Sequence, residues 1–199
     1  MDSSRSPNAL AFSIHHPKST NQSPILPPLV KSTQNSLLHY MKTILPASIG
    51  SISHATLRDE DLIESFHSEL EWQLRRNGAF FALPENFGER DKLNSLLGEV
   101  QDCCYDAEGN FNADCDASYF IEDLSDALGQ FSPPYCYFGT HPGDGSDFGF
   151  WPDYCLIEEL PSVEDSDGAI SLGEDCRSVN DHGNTTVYSG DGSVILELV

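Results

Sequence analysis

Residues 136–151 read CYFGTHPGDGSDFGFW, and this stretch decides the fold. Tyr137, Phe138, Phe148, Phe150 and Trp151 flank a centre of Gly, Pro, Asp and Ser. The pattern predicts a β-hairpin with arms at Tyr135–Phe138 and Phe148–Trp151 and a polar loop between them. Aromatic arms build a core. Glycines let the intervening backbone bend, or approach a partner closely. The loop carries His141, Gly143, Asp144, Gly145, Ser146 and Asp147, which makes it the first candidate binding site.

Helical periodicity dominates upstream of the hairpin. Leu62, Ile63, Phe66, Leu70 and Leu74 recur at three- and four-residue spacing. Thr56 or Asp59 can cap that helix, Glu60, Asp61 and Glu64 suit its positive end, and Arg75 and Arg76 its negative end. Asn77-Gly78 supplies the stop. A second helix is expected from about Glu89 to Cys104, on Leu93, Leu96, Leu97, Val100 and Cys104. A third is expected from about Ala117 to Leu128, on Phe120, Ile121, Leu124 and Leu128, closed by Gly129 and Pro133-Pro134. Ile44, Ile49 and Ile52, set among Pro, Ser and Gly, read as an extended lead-in strand or loop. AFFALPENFG reads as a short apolar segment and turn, and YDAEGNFNADCD as a polar loop.

Strand signals follow the hairpin. Tyr154–Ile157 reads as a further short strand and PSVEDSDGAISLGED as an acidic loop. A three-strand meander closes the chain at Arg177–Asn180, Thr185–Tyr188 and Val194–Leu198, with turns at Asp181–Gly183 and Gly190–Gly192. Helices first and strands afterwards give an α+β expectation: about three N-terminal helices packed on an antiparallel sheet that ends in the meander. Residues 1–40 are rich in Ser, Pro, Asn and Gln and lack periodicity, so a disordered tail is expected before a single acidic domain at 41–199. The tail is acid-poor and Ser-rich like a targeting peptide, but its few arginines favour an ordinary tail or a natural start at Met41.

Charge narrows the partners. The 199 residues carry a formal net charge of −22. Residues 1–58 hold five of the ten Lys and Arg and one acid, so residues 59–199 hold 31 acids against five bases, a balance of −26. A surface of that sign repels nucleic acid and anionic membranes, because their phosphates add to an uncompensated negative field. Expected partners are cations, a basic protein, or a protein that handles DNA or RNA, with no direct nucleic-acid binding and no membrane. Carboxylates spaced like phosphates can occupy a nucleic-acid groove; equally, negative charge simply keeps a protein in solution. The six cysteines form no C-x-x-C pair, and reduced thiols in a cytoplasmic protein are expected.

A second candidate set spans two turns. His141, Asp144 and Asp147 lie in the hairpin loop, and Asp181 and His182 in the DHGN turn. Were both turns at one end of the sheet, two imidazoles and two or three carboxylates would suit a divalent metal such as zinc, manganese or iron. A metal-activated water beside a carboxylate base would make a hydrolase, with His141, Asp144, Asp147 and His182 as ligands. The plainer account is that Asp, Asn and Gly are what tight turns require. VEDSDGAISLGE also aligns with a calcium loop, with Asp165, Asp167, Gly168, Ile170, Ser171 and Glu174 in place, but Val163 stands at the first ligand position and Pro161 and Cys176 argue against flanking helices. No nucleophile elbow, phosphate-binding Gly loop or H-E-x-x-H is present.

Three pieces, ISHATLRDEDLIESF at Ile52–Phe66, YCYFGTHPGDGSDFGFWP at Tyr135–Pro152 and VNDHGNTTVY at Val179–Tyr188, resemble a family of small uncharacterised bacterial and phage proteins. The resemblance runs from about Met41 onward. It implies a source and a boundary, and no established activity. The leading expectation is a non-enzymatic binding or regulatory protein acting through its acidic face and a site of His141, Gly143, Asp144, Gly145, Asp147, Trp151, Asp181 and His182. A metal-dependent hydrolase is the alternative.

Overall fold

The computed structural model describes residues 43–199, so the expected tail at 1–40 lies outside the described residues. Leu62, Ile63, Phe66 and Leu70 form one stripe on helix α1, Asp59–Arg76, and all four are buried. Neither expected residue caps this helix. Arg58 stands at the N-cap without a capping side-chain bond, while Thr56 Oγ1 accepts from the Arg58 N–H at 3.2 Å and donates to Asp61 at 2.7 Å. Asn77 ends the helix from inside the protein. Its buried amide accepts from the Leu45 N–H at 2.6 Å and donates to the Gln73 carbonyl at 3.0 Å. One side chain thus stops α1 and anchors the lead-in segment.

A one-turn helix α2, Gly78–Phe81, and a 3-10 turn, Pro84–Asn86, replace the simple turn expected there. Helices α3, Phe87–Cys104, and α4, Ala117–Gly129, follow. Their apolar stripes meet α1 in a core that includes Phe66, Phe81, Leu97, Val100, Leu124 and Phe150.

The hairpin is longer than its aromatic arms suggest. Strands β2, Cys136–His141, and β3, Asp144–Pro152, leave only Pro142 and Gly143 at the tip. Asp144, Ser146 and Asp147, expected in a loop, therefore lie on a strand. The polar run was misleading because a sheet covered on one face tolerates polar side chains along the other. Tyr137 pairs with Trp151, Phe138 with Phe150, and Gly139 with Gly149. Phe66 meets Phe138 and Phe148 edge-on, at 5.0 and 5.4 Å between ring centroids, so the aromatic face of the hairpin is the one the helices cover.

The lead-in becomes strand β1, Gly50–Ser53, antiparallel to β3, which gives a sheet of order β1-β3-β2. Its close approach requires glycine at 149, where an added Cβ would stand 2.1 Å from the Gly50 carbonyl oxygen.

The remainder of the chain corrects three expectations. Tyr154–Ile157 is not a strand: helix α5 spans Tyr154–Glu159, capped by Asp153, whose carboxylate accepts from the Leu156 N–H at 3.1 Å. The expected acidic loop contains helix α6, Ser166–Leu172, capped by Asp165 through the N–H groups of Asp167 and Gly168 and closed by Gly173 at φ +71°. The calcium-loop alignment fails with it, since Asp165 serves as a helix cap and Asp167 lies within the helix. The meander, β4 at Cys176–Val179, β5 at Thr185–Tyr188 and β6 at Val194–Leu198, forms its own antiparallel sheet. The fold is mixed helix and strand with two three-stranded antiparallel sheets in place of one. A second small core of Ile157, Val187 and Leu196 supports the second sheet, with Tyr135 and Cys136 packed against it.

Candidate functional site

Strand alternation sends Tyr137, Gly139 and His141 of β2, with Asp147, Gly149 and Trp151 of β3, to the face opposite the aromatic core. Trp151 anchors this face. Its indole N–H donates to the Gly139 carbonyl at 3.1 Å, and the His141 ring meets it edge-on at 4.6 Å. Tyr137 donates its hydroxyl to the Thr140 carbonyl at 2.9 Å.

Asp147 is the carboxylate of the set that reaches across to β1. It accepts from the Ser51 hydroxyl at 2.5 Å and stands 3.4 Å from His54 Nδ1. Its side chain is only 14% exposed, against 69% for His54. The pair therefore fastens β1 to β3 at the rim of the exposed face. Asp144 turns on itself, accepting from the Ser146 N–H at 2.9 Å and the Ser146 hydroxyl at 2.7 Å. Those bonds hold its carboxyl below the usual range, with smaller help from His54 and His141. His141 Nδ1 accepts from the Gly143 N–H at 3.0 Å. Gly143 forms the tip of the hairpin, and Gly145 follows at the start of β3 with open space beside it.

Asp181 and His182 stand elsewhere in the fold, on the turn between β4 and β5 of the second sheet. Asn180 organises that turn, accepting from the N–H groups of His182 and Asn184 at 2.9 and 3.0 Å. Among the described residues, no group of three or more His, Cys, Asp or Glu side chains is placed to hold a metal ion. The sequence set divides into a hairpin group, joined by His54, and a turn group.

Sequence reasoning missed Ser51 and His54. Both arrive by the pairing of β1 with β3, which no local pattern announces. It also missed the open groove of about 530 Å³ beside Ser51, walled by Ser65, Glu69, Trp72 and Arg75 of α1. Trp72 is 44% exposed there, with the Arg76 guanidinium 5.0 Å over its ring. At the base of the hairpin, burial, with Asp153 nearby, pushes the Cys136 thiol up to about 11, which disfavours its thiolate.

The site belongs to an acidic α+β protein with one aromatic-polar sheet face open to solvent. Among the described residues, no helix is long and apolar enough to cross a membrane. Comparison with protein-family models, curated proteins and solved structures finds no match.

Proposed function

We propose that this chain is a non-enzymatic binding or regulatory protein. It engages a basic or nucleic-acid-handling protein through its acidic surface and the sheet face around His141, Asp147 and Trp151. One observation carries the reading. Residues 43–199 hold 31 acids against six bases, a net −25, and none of those acids is buried. Among the described residues the buried polar side chains are Ser53, Gln73 and Asn77, all neutral. Three of the six bases already face acids: Arg58 lies beside Glu60, Arg90 beside Asp91, and Lys92 beside Glu89. The field is therefore directed outward and uncompensated, which speeds encounter with a cationic partner. Kinship with the small bacterial and phage proteins suggested by the three motifs is part of the same proposal.

The hydrolase alternative needs His141, Asp144, Asp147 and His182 around one ion. Its two histidines belong to separate sheets, His141 at the end of β2 and His182 on the turn after β4, and Asp144 and Asp147 already accept from neighbouring donors. No observation favours it over the binding reading.

The test is direct binding of the full chain to a lysine-rich probe such as polylysine or core histones, with duplex DNA as counter-probe. Binding that weakens steeply as salt rises, and falls with Trp151→Ala and His141→Ala, supports the reading. Binding to duplex DNA, or salt-independent binding to the basic probes, overturns it.

A further inference from the structure

Strand β1 is the outer strand of the first sheet, in the order β1-β3-β2, and among the described residues no strand pairs with its other side. An edge strand turns the N–H and C=O of alternate residues outward, and proteins commonly blunt such edges with charge or proline. Gly50–Ser53 reads GSIS and carries neither. The bond from the Ser51 hydroxyl to Asp147 holds the strand on β3, so the edge is fixed in place before any partner arrives.

The groove of about 530 Å³ beside Ser51 follows this edge. Ser51 faces the open side of the sheet and Ile52 packs toward the helices, yet both line it, together with Ser48. Because β3 fills the inner side, a cavity that touches both faces of β1 runs along its outer edge. The far wall is the flank of α1, with Glu69, Trp72 and Arg75 at helical spacing. Arg76 donates to the Pro46 carbonyl at 2.9 Å and lies over the Trp72 ring, which positions an exposed aromatic platform. Arg75 is exposed beside it and, among the described residues, forms no ion pair, although residues 43–199 hold 31 acids.

We propose that this groove is a docking site for an extended peptide, which adds to β1 as a fourth strand and sets a carboxylate on Arg75 and an aromatic side chain on Trp72. Main-chain bonds to β1 give the register, and the α1 wall reads alternate side chains. An unpaired guanidinium is matched by a carboxylate, through two parallel hydrogen bonds. Charge sets aside the other occupants. A second copy pairing edge to edge would bring together two surfaces of net −25, and a single-stranded nucleic acid would lay a row of phosphates in the same field. A peptide presents one carboxylate to one arginine, while its other residues stay neutral or basic. The site is separate from the acidic-surface reading, which asks for cations alone.

The probe is the end-capped peptide Lys-Phe-Thr-Glu-Thr-Phe-Lys, which reads the same in both chain directions and sets Glu and both Phe on one face when extended. Calorimetry measures its binding to the full chain. It should bind about tenfold more tightly than the same peptide with Gln for Glu, and Arg75→Gln should erase that preference. An acidic field acting alone gives the reverse order, since the Gln peptide carries one more net positive charge. Trp72→Ala should weaken the Glu peptide by about tenfold. Both substitutions fall on exposed side chains, and an unchanged thermal midpoint confirms that the fold is intact. Of two probes N-methylated at odd or at even positions, one should bind and the other fail, because only alternate N–H groups face β1. No binding up to about 1 mM, a Gln peptide that binds as well or better, or two methylated forms that bind alike overturns the proposal. So does binding of an oligothymidylate that Arg75→Gln abolishes, or self-association that Trp72→Ala abolishes; these assign the groove to nucleic acid or to a second copy.

Discussion

The Tyr135 hydroxyl donates a 2.6 Å hydrogen bond to the Asp175 carboxylate, across 40 positions of chain. Tyr135 sits at the base of the first hairpin with φ +61°, a left-handed conformation unusual for a bulky residue. Its ring packs in the second core, and Asp175, one residue before β4, also accepts from the Gly190 N–H at 3.3 Å. The bond thus ties the first sheet to the second at a point where the backbone is held against its preference.

Tyr135→Phe should lower stability by about 1 kcal/mol, the usual worth of one such hydrogen bond. Burial first and then Asp175 push the Tyr135 hydroxyl up to about 12, from an ordinary 10.0. A folded value above the unfolded one stabilises fully below pH 10.0, and that contribution is lost as the pH climbs through about 12. Urea titrations across the alkaline range should therefore show a shallower fall for the Phe variant. Parallel alkaline curves for the two proteins would remove the bond from this role.

Gly149→Ala tests whether the close crossing of β1 organises the first sheet. The new Cβ would lie 2.1 Å from the Gly50 carbonyl oxygen and 2.9 Å from Ser51 Cα, both backbone atoms that cannot swing aside. A loss of about 1–3 kcal/mol is expected, as for other overpacked sites. Gly145→Ala, on the same strand with nothing within 4 Å, should change stability by less than about 0.5 kcal/mol. Equal effects from the two would mean that β1 shifts freely.

Asn77→Ala removes an interior link between α1 and the lead-in segment. The substitution strands the Leu45 N–H and takes one donor from the Leu45 and Gln73 carbonyls, the latter keeping the backbone N–H of residue 77. Since the site is buried, about 1–3 kcal/mol is expected, with the larger share from the orphaned N–H. Asn77→Asp keeps an acceptor for Leu45 but sets a buried, unpaired carboxylate against the Gln73 and Leu45 carbonyls, so it should be no more stable than the alanine variant. Thermal melts of the three proteins check the order, and an alanine variant as stable as the parent would refute it.

The long elements were legible because their information is local. Phe66 and Leu70 declare α1 by spacing alone, and Phe138 and Phe150 declare the hairpin. Short elements were not. Ile157 fits a strand by propensity, yet Asp153 caps a helix around it, and six residues give periodicity too little length to arbitrate. The single expected sheet failed for a different reason. Strand pairing is non-local, and nothing in the text of β1 says that it will take the free edge of β3. The candidate site inherited both limits: its hairpin residues were visible, while Ser51 and His54 depended on that pairing, and His182 stands apart because the meander forms a sheet of its own.

Self-repulsion gives the last prediction. Residues 43–199 carry a net −25, and the ion pairs Arg58–Glu60, Arg90–Asp91 and Lys92–Glu89 are exposed. Exposed pairs contribute little, while like charges crowd in the folded state more than in the unfolded chain. Raising salt from about 0.01 M to about 0.1 M shortens the screening length from about 30 Å to about 10 Å, so repulsion between distant carboxylates fades first. The midpoint of thermal unfolding should rise over that range and then level off, and chloride salts of sodium and potassium should act alike. A protein held together by its ion pairs would do the reverse and melt earlier as salt is added. A falling midpoint would therefore overturn the picture of an uncompensated acidic surface, and with it the electrostatic part of the binding proposal.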